Sequence, residues 1–309
     1  MSDEKSKATL LKEEIMMKGS KGAATLNAEE IKKADDFCVG YKEFLDHSPV
    51  EREAVSYTLE LAKKAGFTEY NENASYNAGD KVYYVNRDKA IALAVIGKNG
   101  VKNGARLAIA HIDSPRIDLK PNPLYEDTNL ALFKTHYYGG LKKYQWTALP
   151  LSLHGTVVKL DGTKVNITWG DDENESCFCV TDLLPHLAKD QVSKPLAKVF
   201  TGEDLNVLVG SRPYEDGNEE KDLVKLNVMS ILNKKYGIVE GDFLSAELCL
   251  IPSFKARDIG FDASMIGGYG HDDKVCAYPA LMASLDVETP EQTCVTYLTD
   301  KEETGSIKY

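Results

Sequence analysis

The spacing of apolar and polar positions gives the chain helical segments towards both ends and a strand-rich stretch between them. The first ~45 residues are polar and helix-prone, and ADDFCVGYKEFLD (34–46) predicts a short amphipathic helix. HSPVEREAVSYTLELAKKAGF (47–67) is better punctuated. Ser48 suits an N-cap, Pro49 fits the first helical position, Glu51 completes a capping box and Gly66 supplies the stop. These signals predict a helix over about 49–65. KVYYVN (81–86), AIALAVIG (90–97) and RLAIAHID (106–113) then read as strands, the last short and apolar enough to be buried.

Beyond Pro121 the pattern changes. LHGTVVKLDGTKVNITWG (153–170) predicts a hairpin turning at Asp161-Gly162. DLLPHLAKD (182–190) reads as a short turn or helix, and PYEDGNEEKDL (213–223) as an acidic surface loop. LVKLNVMSILNKKYG (223–237) has helical spacing and stops at Gly237, while FLSAELCLIPS (243–253) is strand-like. GHDDKVCAYPALMASL (270–285) reads as a helix and TCVTYLTD (293–300) as a strand. The fold class implied is α/β. One α/β domain, 1–124 and 254–309, is interrupted by a β-rich block over 125–253.

Composition narrows the function classes. The chain has 309 residues, 43% of them hydrophobic, enough for one large or two ordinary domains. A net charge of −11 argues against a nucleic-acid partner. No apolar run reaches the roughly 18 residues of a membrane span. The opening MSDEKSKATLLKEE has no apolar signal region, so a cytoplasmic protein is expected. Cys38, Cys177, Cys179, Cys249, Cys276 and Cys294 form no CxxC pair and are expected to be reduced and mostly buried. Cys177 and Cys179 share a strand face, in itself a weak metal signal.

Three clusters carry candidate chemistry. In AHIDSPRIDLKP, His111 and Asp113 point to one face at a strand end, where an imidazole can ligate zinc and the carboxylate can orient it. In GYGHDDKV, Asp272 and Asp273 precede an apolar helix; they serve either as helix caps or, for one of them, as a metal bridge, with His271 a further donor. In TCVTYLTDKEETGS, Glu302 and Glu303 follow a strand whose carboxyl end is where α/β sheets place their sites. Adjacent side chains diverge, so one glutamate can bind metal while the other acts as a general base. Each cluster alone is also a solvated loop or a cap. Taken together, His, Asp and Glu suit a zinc site with an open water position. No GxGxxG, GxxxxGK[ST] or GxSxG element competes with that reading.

On AHIDSPRIDLKP, YYGG (137–140), LPHLA (184–188), ELCL (247–250), GHDDKVCAYPALMASL and DKEETGS, the chain resembles the aspartyl aminopeptidase and vacuolar aminopeptidase I family of dinuclear zinc exopeptidases. The resemblance runs from about residue 47 to 306. It implies that His111 binds one zinc with Asp113 clamping its ring, that Asp272 bridges two metals and that Glu303 binds the second. Glu302 would be the general base, and His186 would reach a neighbouring subunit's site to bind substrate. The 125–253 block would be a dimerisation domain, within dodecamers built of dimers. The substrates would be peptides, cleaved at the N-terminal bond. The metal would be zinc, with manganese or cobalt as alternatives. Arg116 and Lys120 could attract an acidic substrate side chain. The family's site also uses an Asp and a His well downstream of the Glu-Glu pair, and the chain stops at Tyr309 before either. A truncated catalytic domain is therefore expected, and the competing readings are a non-catalytic assembly module and a metal hydrolase for other amides.

Overall fold

The computed structural model describes residues 5–17, 19, 22–216 and 221–305. Part of the acidic loop predicted over 213–223, and Ser306 of DKEETGS, lie outside them. Two compact units are separated between Tyr41 and Lys42. In the first, α1 (Lys7–Ile15) is capped by Ser6, whose Oγ accepts from the Thr9 N–H at 3.2 Å. α2 (Ala28–His47), which begins in the first unit and ends in the second, is longer than predicted. Asn27 Oδ1 accepts from the N–H groups of Glu29 and Glu30 at 2.9 and 3.0 Å, and Glu30 accepts from the Asn27 N–H, a reciprocal cap that starts the helix early.

In the second unit α3 (Glu51–Lys64) begins two residues later than the predicted helix. Val50 occupies the cap position without a side-chain bond, and the Ser48 hydroxyl is buried with no partner. Glu51 does not reach back to close a capping box, because its carboxylate is buried against Arg116 Nη1 at 2.7 Å. A buried carboxylate gains more from a cation than from a second cap bond. Gly66, at φ +87°, ends the segment as expected.

The strands are β1 (Thr68–Glu69), β2 (Lys81–Asn86), β3 (Ala90–Val95), β4 (Ala105–His111), β5 (Arg116–Asp127), β6 (Leu130–Tyr138), β7 (Leu151–Val158), β8 (Lys164–Trp169), β9 (Val207–Gly210), β10 (Ala246–Pro252), β11 (Arg257–Ile259), β12 (Met265–Gly267) and β13 (Thr293–Thr299). They form a mixed sheet ordered β1-β2-β3-β13-β4, an antiparallel sheet ordered β8-β7-β10-β5-β6-β9, and the β11-β12 pair. The predicted hairpin is β7–β8, with Gly162 at φ +84° in its turn and the Thr163 N–H donating to Asp161 at 2.9 Å. The remaining helices are α4 (Lys189–Val192), α5 (Leu196–Val199), α6 (Leu223–Tyr236), α7 (His271–Asp286) and α8 (Glu302–Gly305).

The antiparallel sheet builds the larger core, where Phe133, Leu151, Leu153, Ile167, Val207 and Leu250 are all buried together with Val224 and Leu232 of α6. The mixed sheet buries Ile91, Leu93 and Leu298, and α3 and α7 bring Ala54, Ala62, Ala277 and Leu281 into the interior. β4 departs from expectation. It is an edge strand, and Leu107 and Ile109 stay 66% and 62% exposed. A strand paired and covered on one side only keeps an open apolar face. The thiols also differ from expectation: all six are free, but Cys177 and Cys276 are exposed.

One buried charge tests the fold by pH. His154 on β7 is fully buried, with Nδ1 3.1 Å from both Glu53 oxygens and Nε2 3.1 Å from Asp171 Oδ1. Burial opposes its charge, but Asp171 and Glu53 outweigh it and push the pKa up to about 9. The folded value exceeds the ordinary one of about 6.5, so the stabilisation is complete below about pH 6.5 and disappears as pH rises through about 9. Its size is on the order of 3 kcal/mol. Urea midpoints are expected to fall across that interval, and His154→Gln, less stable at neutral pH, should lose this slope. An unchanged slope in the variant would show that the ring is not charged in the fold.

Candidate active site

Parallel pairing of β4 with β13 places Thr299 opposite His111, so both strands end together. The Ile112 N–H donates to the Thr299 carbonyl at 2.9 Å and holds the two exits side by side. His111-Ile112-Asp113 leaves one strand and Asp300-Lys301-Glu302-Glu303 leaves the other. The start of α7 supplies Asp272, behind Gly270 at φ +81°; the Asp272-Asp273 peptide is cis.

The His111 ring is the centre of the cluster. Its Nδ1 lies 2.9 Å from the Asp113 carbonyl oxygen and 3.4 Å from Asp113 Oδ1. A carbonyl only accepts, so Nδ1 carries a proton. Nε2 faces Asp272 Oδ1 at 3.1 Å and Glu302 Oε2 at 3.7 Å. Burial works against charge on the ring, but Asp113, Asp273 and Glu302 outweigh it and hold the pKa above the usual histidine value. The cluster therefore asks for a positive charge at Nε2. Asp272 and Glu302 face solvent, their side chains 83% and 57% exposed, so the cluster is open on that side.

Asp113 is fully buried beneath the ring. Its Oδ1 accepts from the Glu302 N–H at 3.3 Å, and its Oδ2 accepts from the Glu303 N–H at 3.2 Å and from the Tyr138 hydroxyl at 2.6 Å. The two glutamates diverge, as neighbours should. Glu302 turns to His111, whereas Glu303 packs against Gly139 in the Gly139-Gly140 turn. A Cβ on Gly139 would lie 2.7 Å from Glu303 Oε2, and Gly139 sits at φ +71°, so the turn needs glycine on both counts. Burial, helped by the charge of Asp272, raises the Glu303 pKa.

On the far side of Asp272, Ser114 Oγ donates to the Asp272 carbonyl at 2.9 Å and accepts from Lys274 Nζ at 3.0 Å. Lys274 is fully buried, and desolvation pulls its pKa down to about 8. Sequence reasoning missed Lys274 and the Tyr138 contact. A lysine in the first turn of an otherwise apolar helix was the available signal for the former.

Imidazole and carboxylate are zinc's donor types. The 3.1 Å between Nε2 and Asp272 Oδ1 is close to the roughly 3.3 Å separating neighbouring ligands on a tetrahedral zinc with bonds of about 2.0 Å. The donor chemistry fits, but the set is small. Among the described residues, no group of three or more His, Cys, Asp or Glu side chains is arranged to hold a metal ion. His186 is exposed on a turn and takes no part in the bonds of the His111 cluster. Arg116 and Lys120 are engaged elsewhere, Arg116 with Glu51 and Asp118 and Lys120 with Glu203 at 2.8 Å.

The family model for aminopeptidase I zinc metalloproteases (M18) matches residues 44–308. The chain belongs to the M18 family. It is 51% identical over 271 residues to a probable M18 family aminopeptidase 1 of Clostridium acetobutylicum, covering 86% of this chain and 58% of that one. The crystal structure of an M18 aminopeptidase from Thermotoga maritima superposes with a TM-score of 0.87 at 42% identity, over 94% of this chain and 63% of that one. A dodecamer of S. cerevisiae mApe1 shares the fold at 20% identity and a TM-score of 0.66, over 89% of this chain and 63% of that one. The M18 likeness confirms the α/β class with a separate antiparallel sheet. The chain spans about three fifths of the length of these M18 relatives. Among the described residues no helix is long and apolar enough to cross a membrane.

Proposed function

We propose that these residues build the larger part of a metalloaminopeptidase that hydrolyses the N-terminal bond of peptides. His111, Asp272 and Glu303 would hold zinc, with Asp272 shared between two ions. The observation that carries this is the placing of His111. Its Nδ1 proton is committed to the Asp113 carbonyl, so the Nε2 lone pair faces two carboxylates, an arrangement that only a proton or a cation satisfies. Zinc, when bound, polarises the scissile carbonyl and makes water acidic enough to attack at neutral pH.

The rest falls to the chain's own side chains. Asp113, through its carbonyl and carboxylate, fixes the His111 tautomer and ring plane. Glu302 is backbone-anchored yet exposed, so its carboxylate can take the proton from the attacking water and deliver it to the leaving amine. Glu303 stays fixed at the Gly139-Gly140 turn, which separates its role from that of its neighbour.

Residues 1–124 and 254–309 would form the catalytic domain and 125–253 the dimerisation domain. Leu183, Leu184, Leu187, Val192 and Leu196 are all more than half exposed around His186, a surface suited to a second copy. His186 would then serve a neighbouring subunit's site, within dimers and dodecamers. A cytoplasmic location would suit the six free thiols. A second reading, an assembly module without catalysis, draws on the same leucines and on the small donor set.

The deciding comparison is the 309-residue chain against a fusion that adds the remaining two fifths of the C. acetobutylicum relative. The chain alone is expected to bind little zinc and turn over no peptide. The fusion should bind about two zinc ions and release N-terminal residues in a chelator-sensitive way. A folded fusion that binds zinc and leaves peptides intact would favour the assembly module. Chelator-sensitive turnover by the chain alone would show that the present donors suffice.

A further inference from the structure

We propose that Tyr138 is a positioning residue for this site: its hydroxyl locks the Asp113 carboxylate in the one orientation that serves His111, Glu302 and Glu303 together. The inference rests on the metal-site reading above and extends it to a residue in the other sheet.

Three donors and the His111 ring nitrogen surround the two oxygens of Asp113. Oδ1 serves the Glu302 N–H at 3.3 Å and lies 3.4 Å from His111 Nδ1. Oδ2 serves the Glu303 N–H at 3.2 Å and the Tyr138 hydroxyl at 2.6 Å. Three of these contacts are long. The Tyr138 bond is the short one, and it is the only one that comes from outside the two strand exits. Without it only the longer Glu302 and Glu303 N–H bonds hold the carboxylate, so it can tilt about its Cβ–Cγ bond, which loosens the start of α8 and the Oδ1 contact that supplements the carbonyl bond at His111 Nδ1.

The tyrosine is itself held. It ends β6, beside β5 in the antiparallel sheet, with Arg116 opposite it in the ladder. The Arg116 guanidinium carbon lies 4.2 Å from the ring centroid and Lys301 Nζ 5.0 Å from it. Two cations on an aromatic ring resist its rotation. Arg116 is fixed in turn by Glu51 at 2.7 Å and Asp118 at 2.8 Å. A chain of contacts therefore runs from α3 through Glu51, Arg116 and Tyr138 to Asp113 and His111. It lets the antiparallel sheet set the geometry of donors carried by the mixed sheet. Gly139 and Gly140, directly after Tyr138, receive Glu303. One turn thus orients the clamp and the proposed ligand together.

The test uses Tyr138→Phe, which keeps the ring beside its two cations and removes only the hydroxyl. The first readout needs neither zinc nor turnover. With six histidines in the chain, 15N-histidine spectra resolve individual rings, and His111→Ala assigns the relevant one. Wild type should show His111 protonated at Nδ1. Tyr138→Phe should shift the tautomer balance in the direction that Asp113→Asn shifts it, with the melting temperature nearly unchanged. The second readout is zinc affinity of the fusion, measured against a coloured chelator. Tyr138→Phe should weaken it about 10–100-fold, the usual loss when a ligand's support is removed. In the Asp113→Asn background the same substitution should add nothing, because the hydroxyl acts only through Asp113. An unchanged His111 spectrum, or equal losses of affinity in both backgrounds, would overturn the proposal. A fusion that binds no zinc while the tautomer shift is present would instead refute the metal reading and leave the clamp standing.

Discussion

Glu302→Gln in the fusion is expected to lower kcat by about 10²–10⁴-fold while zinc content stays nearly intact. The amide keeps the size of the side chain and its place on the backbone, where the Glu302 N–H still donates to Asp113. It cannot accept a proton from water. Metal should survive because Glu302 lies 3.7 Å from His111 Nε2, farther than the proposed ligand Asp272 at 3.1 Å. The neighbour gives the contrast. Glu303→Gln should lose zinc, since its carboxylate is the proposed ligand. His111→Ala should lose zinc as well, having given up an imidazole donor. Reversed behaviour of the two glutamates, with metal lost at 302 and a pure loss of kcat at 303, would exchange their roles. Wild-type kcat in Glu302→Gln would remove the base assignment altogether.

That those two glutamates point apart was readable from the chain, because adjacent side chains at a strand end must diverge. The same holds for His111 and Asp113, two apart on one strand face, and for the hairpin at Asp161-Gly162. These features depend on local period and turn chemistry, which a single sequence carries. Features that depend on distant partners were not readable. Glu51 looked like a capping residue because Ser48 precedes it by three, yet a cation 65 positions away claims its carboxylate. Tyr138 meets Asp113 across 25 residues, and His154 is held between Glu53 and Asp171 from two different segments. β4 reads as a buried strand from its apolar run. Its exposure follows from its place at the sheet edge, which the run does not encode. The open Leu107 and Ile109 make the chain by itself prone to associate through that edge.

Arg116→Leu is expected to destabilise the fold by about 3–5 kcal/mol, the cost of leaving a buried charge without its partner. Arg116 is 6% exposed and Glu51 5%. The guanidinium donates to Glu51 at 2.7 Å and to Asp118 at 2.8 Å while lying over the Tyr138 ring. Leucine fills part of the volume but takes away the cation in direct contact with Glu51, and Lys89 is 3.5 Å away. Burial alone would raise the Glu51 pKa; Arg116 outweighs it, together with a backbone N–H and Lys89, and holds it below the usual carboxylate value. A depressed folded pKa means that this stabilisation is present above the unfolded value of about 4.3 and is lost as pH falls through the folded one. In the variant the Glu51 pKa should rise above the unfolded value. Glu51 then destabilises at neutral pH, and the penalty fades as acid protonates it. The gap between wild type and Arg116→Leu should therefore be widest near neutrality and narrow below about pH 4. Replacing both partners, as in Arg116→Met with Glu51→Leu, should recover much of the loss, since an apolar pair of similar volume needs no countercharge. Urea unfolding of the three proteins across that pH range measures each point. A double variant no more stable than Arg116→Leu would show that the cost lies in lost packing against Tyr138 rather than in the orphaned carboxylate.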